Sequence, residues 1–395
     1  MRLQGFDYET LTKKWTRNNR RLAEVGRCIG PISRNGSILG EDSEFMLSES
    51  DRPVKMTLPG PMTVVDSTVD EFYGNERAMA FAWARAINQE AKLSGKFTSN
   101  KLKAAPVTEA IQNLSALKKG PKVLLINAGN ANAANGQKGI NDVKKYCKEI
   151  ASDLNIEQKN VVPFSTGVIG EALPVDSYLS AFRSALTKLK NNDWKKAASA
   201  ILTTDTKPKI VSKEVKVGKK SYFITGFAKG SGMIRPDFAT LLSFVFVDAK
   251  LSQSILNKIH NQALKVSFEA ITVDGDTSPN DSSVLVTNGN QEKVVKAGSL
   301  DERKLTHEII ETFKELAELL VADAEGATKL IKVKVSKAKN QIQAKSVAFT
   351  VAESPLVKTA MFGSDANWGR ILSAVGRDKT VEDFNGLQIK LNGVP

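Results

Sequence analysis

The chain has 395 residues, 41% of them apolar and 25% charged, with 56 Lys and Arg against 43 Asp and Glu, two cysteines and two histidines. At about 100–200 residues per domain, this length allows two or three domains with full cores, and the composition excludes disordered and collagen-like chains. No apolar run approaches the roughly 18–20 residues of a membrane span, and the opening MRLQGFDYETLTKKW lacks the continuous apolar stretch of a signal peptide, so the expected location is the cytoplasm.

Taken in chain order, residues 1–94 carry an Arg-rich opening (WTRNNRRLAEVGR), a turn at Pro59-Gly60-Pro61 and a helical run, NERAMAFAWARAINQEAKL. The composition shifts near Gly95, which marks a candidate boundary. Beyond it, KVLLINA (122–128), FITGF (223–227), LLSFVFV (241–247), SVLVT (283–287) and IKVKV (331–335) read as strands, being short, β-branched or alternating, and bounded by Gly, Asn or Asp. Leu179, Phe182, Leu186 and Leu189 recur at helical steps, as do Ile309, Phe313, Leu316 and Leu320. The pattern predicts a mixed α/β protein without internal repeats.

Cys28 and Cys147 are too few and too far apart for a disulfide framework or a thiolate zinc site. Cys147 reads as a packing or surface thiol, and His260 and His307 as surface or capped histidines on helices. No metal site and no histidine-based triad is expected. The net charge of +13 comes from scattered lysines without aromatic interleaving, which predicts a solvated basic surface rather than a nucleic-acid partner. Such a field also draws anionic small substrates toward the protein.

Nucleotide fingerprints fail: KGSGMIRP has Arg235 where a dinucleotide loop needs its third glycine, and no GxxxxGK[ST] occurs. Gly, Asn and small hydroxyl residues instead cluster in AGNANAANG (128–136), STGVIG (165–170), AKGSGMIRPDFATLL (228–242), TVDGDTSPND (272–281) and DAEGATK (323–329). Any one of these reads as a turn after a strand, because Gly and Asn tolerate positive φ. In the third, Thr240 follows Ala239 and opens the apolar run LLSFVFV. A threonine hydroxyl needs a base, and no histidine stands near it in sequence. Cleavage between Ala239 and Thr240 would supply one, since a free α-amino group, with a pKa of about 7.7–8, can accept the hydroxyl proton. Taken alone, Thr240 reads as a β-former starting a strand.

Together with KFTSNKLKAAPV (96–107), STGVIGEALP (165–174), TTDTKPK (203–209) and SPLVKTAMFGSDANWGRI (354–371), these segments resemble, in order, the ornithine acetyltransferase family, the bifunctional glutamate N-acetyltransferases of arginine biosynthesis. The resemblance implies a layered α/β sandwich of the N-terminal-nucleophile-like, self-processing type. It implies cleavage between Ala239 and Thr240, an α chain over 95–239, a β chain over 240–395, and an assembly of two of each. Thr240 is then the nucleophile, Thr166 and Gly167 stabilise the oxyanion, and Thr203, Lys229, Thr240 and Glu325 contact substrate. Acetyl would pass from N-acetylornithine to L-glutamate through an acetyl-enzyme, with no cofactor; some members of the family also take acetyl-CoA as donor. Neither nucleic acid nor membrane is an expected partner.

The chain departs from the family pattern at Asn127-Ala128-Gly129-Asn130 and at Phe238-Ala239-Thr240-Leu241, both mildly. The family normally runs on past a point like LQIKLNGVP (387–395), where its final segment supplies further substrate ligands, so an incomplete substrate site and low activity are expected. At the front, VKMTLPGPMTVVDSTVDEFYGNERAMAFAWARAINQE (54–90) resembles a fragment of the cobalamin-independent methionine synthase family, without the zinc-binding residues of that chemistry. Residues 1–94 therefore form a foreign-looking segment. Two other readings stay open: a self-processing amidase or aminopeptidase that passes the acyl group to water, and an inactive truncated chimera.

Overall fold

The computed structural model describes residues 3–16, 21–34, 68–70, 91–117, 122–187, 193–235, 241–288 and 293–394. Near the N-terminus, β1 (Leu3–Thr16), β2 (Arg21–Arg34) and β3 (Thr68–Asp70) form a three-stranded sheet in that order. The methionine-synthase-like segment lies almost wholly outside the described residues, as do Pro59-Gly60-Pro61 and most of the helical run before Gly95. The last two residues of that run, Lys92 and Leu93, belong to a strand instead.

The main body is a layered α/β sandwich, the expected fold class. Its central sheet has the order β4-β10-β9-β8-β7, built from β4 (Lys92–Phe97), β7 (Lys209–Val217), β8 (Lys220–Lys229), β9 (Leu242–Val247) and β10 (Ser282–Thr287). β7 and β8 form a hairpin, whereas β9 and β10 are parallel and so need a crossover. That crossover is α5 (Gln253–Lys265), numbered after the helices α1 (Ala105–Ser115), α2 (Gly136–Leu154), α3 (Val175–Thr187) and α4 (Trp194–Ala200). A second, parallel pair, β5 (Val123–Asn130) and β6 (Val161–Val168), is linked across α2.

Side chains alternate across a strand, and in β9 both faces are buried. Val245 and Val247 pack with Val215, Ile224 and Leu285 against α5 and α6 (Leu300–Ala322), whose Ile309, Phe313, Leu316 and Leu320 fill that layer. Leu242 and Phe244 face the other way, onto Val162 and Phe164 of β6, with the Phe164 and Phe244 rings edge to face at 5.0 Å. The outer side of β5 and β6 is covered by Val143, Tyr146, Cys147 and Ile150 of α2 and by Leu179 of α3. Four layers result: helices, five strands, two strands, helices. Cys147 is thus a core thiol.

Past α6, the helices α7 (Gln341–Ala352), α8 (Pro355–Phe362) and α9 (Trp368–Val375) gather around Val347, Val351, Val357 and Val375. Here one expectation fails: IKVKV (331–335) forms no strand. Alternation supplies an apolar face but no partner, and a strand needs a neighbouring backbone to bond. Val333 and Val335 are drawn instead onto the helical cluster. Among the described residues, no helix is long and apolar enough to cross a membrane.

A second correction concerns His260. It is not a surface group but fully buried on the inner face of α5, with Nδ1 3.0 Å from Ser94 Oγ of β4 and Nε2 3.0 Å from Ser283 Oγ of β10. His307 is exposed on α6. Burial, reinforced by the nearby charge of Lys96, lowers the His260 pKa to about 3, against the opposing bond with Ser94. The folded chain thus keeps the ring neutral down to about pH 3, while the unfolded chain protonates it near pH 6.5. Stability from this group is complete above pH 6.5 and is lost as pH falls from there toward 3. Between pH 7 and pH 5, wild-type stability in urea unfolding should fall by about 2 kcal/mol more than that of His260→Gln; parallel profiles would refute the assignment.

Candidate active site

The layered packing brings the end of β6 next to the end of β8. Lys229, the last residue of β8, is 5% exposed and donates to Thr166 Oγ1 at 3.1 Å and to Thr203 Oγ1 at 2.6 Å. An ammonium only donates, so it engages the lone pairs of both hydroxyls and leaves their protons directed elsewhere. Three of the residues expected at the site are thereby joined directly.

Gly167 follows Thr166 with φ +134°, and a Cβ there would lie 2.2 Å from the carbonyl carbon of Gly129, its neighbour on β5. No side chain fits. Close apposition of β5 and β6 at this point sets where the Thr166-Gly167 backbone sits. The loops around it are fastened by amides: Asn127 Oδ1 accepts from Ser165 Oγ at 2.5 Å, and Asn280 Nδ2 donates to the carbonyls of Ala131 at 2.7 Å and Ser165 at 2.9 Å.

Glu325 comes near from the loop after α6. Its backbone N–H donates to Ser231 O at 2.8 Å, and its carboxylate lies 3.0 Å from where a Gly232 Cβ would stand. It is exposed. Ala239 and Thr240 lie outside the described residues. Both flanks of their segment are held: Asp274 accepts from Met233 N at 2.5 Å and Ile234 N at 3.0 Å, and Leu241 O accepts from Ser282 N at 3.0 Å.

Beneath the site lies a cluster to which the sequence reading gave no role. Lys209, fully buried at the start of β7, is 2.5 Å from both Asp205 Oδ1 and Asp323 Oδ2. Asp205 also accepts from Gly230 N at 2.7 Å and lies 3.7 Å from Lys229 Nζ, so one carboxylate fixes the turn beneath Thr203 and the end of β8. Asp323 takes two further bonds from Thr206. Burial pushes the Asp205 carboxyl up, but Lys209, the Gly230 N–H and Lys229 outweigh it and hold it below the usual value. Burial likewise opposes Asp323, which Lys209 and Thr206 bring down to about 2. Burial draws the Lys229 ammonium below its ordinary value, with Asp205 acting against the shift. The i, i+4 spacing of Asp205 and Lys209 in TTDTKPK was the available signal, but their partner in DAEGATK is distant in sequence. Among the described residues, no His, Cys, Asp and Glu are grouped to hold a metal.

Residues 77–395 match the family model described as the ArgJ family. The chain belongs to the ArgJ family. It is 43% identical over 295 residues to the arginine biosynthesis bifunctional protein ArgJ of Colwellia psychrerythraea, covering 72% of this chain and 70% of that protein. The protein of the same name from Caldanaerobacter subterraneus is 44% identical over 304 residues, 76% of this chain and 74% of its own. Among solved structures, the ArgJ protein of Bacillus halodurans is 33% identical and aligns over 36% of this chain and 74% of its own, with a TM-score of 0.32. The ArgJ family model includes both β6, with Thr166, and β8, with Lys229.

Removing Lys209 would strand two buried carboxylates. Lys209→Met should lower stability in denaturant unfolding by about 3–5 kcal/mol, as expected for a broken buried ion pair. A loss under 1 kcal/mol would show that the cluster is dispensable to the fold.

Proposed function

We propose that this ArgJ family member is a glutamate N-acetyltransferase of arginine biosynthesis, moving acetyl from N-acetylornithine to L-glutamate through an ester on Thr240. The observation that carries this reading is the bonding of Lys229 to Thr166 and Thr203 at the strand end paired with Leu242, two residues after Thr240. Family membership supplies the reaction class, and the geometry supports the roles of individual residues.

Self-cleavage between Ala239 and Thr240 gives an α chain ending at Ala239 and a β chain starting with the nucleophile. The freed α-amino group takes the hydroxyl proton as Oγ attacks the acetyl carbonyl. Negative charge then develops on the acetyl oxygen. The Thr166 hydroxyl, with Lys229 on its lone pairs, has its proton available for that oxygen, and the Gly167 N–H is the second donor. The same ammonium polarises the Thr166 O–H and strengthens it as a donor. Ornithine leaves, and the amine of glutamate attacks the ester in its turn. Lys229 is suited to a substrate carboxylate and Glu325 to an ammonium, one on each side of the KGSG turn. Acetyl-CoA is a second donor in this reading, the assembly is two α and two β chains, and the site of action is the cytoplasm.

The test is acetyl transfer from N-acetylornithine to glutamate with purified chain. Wild type should transfer, Thr240→Ala should not, and Thr166→Ala should lose on the order of 100- to 1000-fold in kcat with a smaller change in KM. Transfer to water that glutamate cannot outcompete would favour a hydrolase. A Thr166→Ala enzyme within twofold of wild type would remove the oxyanion assignment.

A further inference from the structure

IKVKV (331–335) has the sequence of a strand but no neighbouring strand. Neither the N–H nor the C=O of any residue from Leu330 to Val335 bonds to another described residue. Val333 and Val335 lie against the helical cluster, which settles one face of the segment, while Leu330 and Ile331 stay 44% and 42% exposed. The same six residues form one wall of a cleft of about 770 Å³. α6, α7 and the turn after α5 supply the other walls, with Val321, Ala348 and Phe349 among their apolar side chains. As a strand, six residues run about 20 Å, the length of an ordinary sheet member.

Two features say what fits this edge. A row of free N–H and C=O groups is matched in spacing by the main chain of another strand. Charge then selects among strands, because the lining of the cleft carries five lysines against two glutamates. Lys332 donates to Glu318 Oε1 at 2.6 Å, but both side chains are more than half exposed, and such a pair contributes little and is readily shared. Lys334 has no ion pair among the described residues. A second copy of the segment is a poor partner. Two-fold antiparallel pairing centred on Val333 sets Lys332 opposite Lys334 on both sides of the axis, like charge against like. Slipping by one residue turns the valines of one copy away from the face that buries those of the other. Edge lysines guard against self-pairing in this way.

We propose that residues 330–335 are a strand-docking edge for an extended segment of another polypeptide in which apolar and acidic residues alternate. Added antiparallel, such a segment exchanges main-chain hydrogen bonds with 330–335. Residues directly opposite one another share a face, so its apolar side chains lie beside Val333 and Val335 over the helical cluster, and its carboxylates lie beside Lys332 and Lys334. The main chain supplies affinity and the alternation supplies the choice of partner. This surface is independent of the acetyl-transfer reading, since none of its residues has a role in that reaction.

The test titrates the full-length chain into a short fluorescein-labelled peptide alternating Val and Glu, read by anisotropy. Wild type should bind it with a Kd below about 1 mM. N-methylation of alternate amides in the peptide, which removes donors and leaves the side chains, should weaken binding at least about tenfold. The double variant Lys332→Glu, Lys334→Glu, matched to wild type in its thermal melt, should bind the Val–Glu peptide at least about tenfold more weakly. It should also bind a Val–Lys peptide more tightly than wild type does. No binding below that limit, equal binding of the N-methylated peptide, or equal binding of the Val–Glu and Val–Lys peptides by wild type would overturn the proposal. So would a dimer in sedimentation that Lys332→Glu strengthens, since the edge would then belong to a second copy. If the double variant does not match the wild-type melt, the peptide comparisons on wild type decide alone.

Discussion

A dehydrated lysine between two aspartates is the constraint on which the site depends. Removing Lys209, Asp205 and Asp323 from water costs several kcal/mol per ion, a cost offset only if every charge is matched at close range. Matching them leaves little freedom elsewhere. Asp205 must face the start of β7 and the Gly230 turn together, and Asp323 must bring the end of α6 against the Thr206 loop. The chain segments that carry Thr203, Lys229 and Glu325 are therefore located by one electrostatic knot. The knot spans the two sides of the Ala239–Thr240 bond in sequence, so it also holds together the two chains that cutting would produce.

The second constraint is steric. β5 and β6 approach so closely at this point that a Cβ on Gly167 would run into the Gly129 backbone. Thr166 is carried to the buried ammonium of Lys229 by that approach and by the Phe164–Phe244 contact between the sheets. The position of Thr166 is thus a property of the sandwich rather than of a loop, which suits the oxyanion role proposed for it.

Much of this was legible in the sequence. Strands at 122–128, 223–227, 241–247 and 283–287 and the helices through Leu179 and Ile309 follow from periodicity, and the small-residue clusters mark the loops that line the site. What periodicity could not supply is which distant groups meet. Asp205 and Lys209 look like loop charges until Asp323 arrives from the end of α6. His260 looks like a surface residue of an amphipathic helix until Ser94 and Ser283 bond to both of its nitrogens. IKVKV has the alternation of a strand, yet pairing is decided by a neighbour, and its valines pack against helices.

The central claim is that acetyl rests covalently on Thr240. Purified enzyme mixed with N-acetylornithine, with no glutamate present, should yield a β chain heavier by one acetyl group. Fragmentation should place that group on Thr240, and addition of glutamate should discharge it. Release of ornithine with an unmodified β chain, or an acetyl group on any other residue that glutamate fails to remove, would contradict the account.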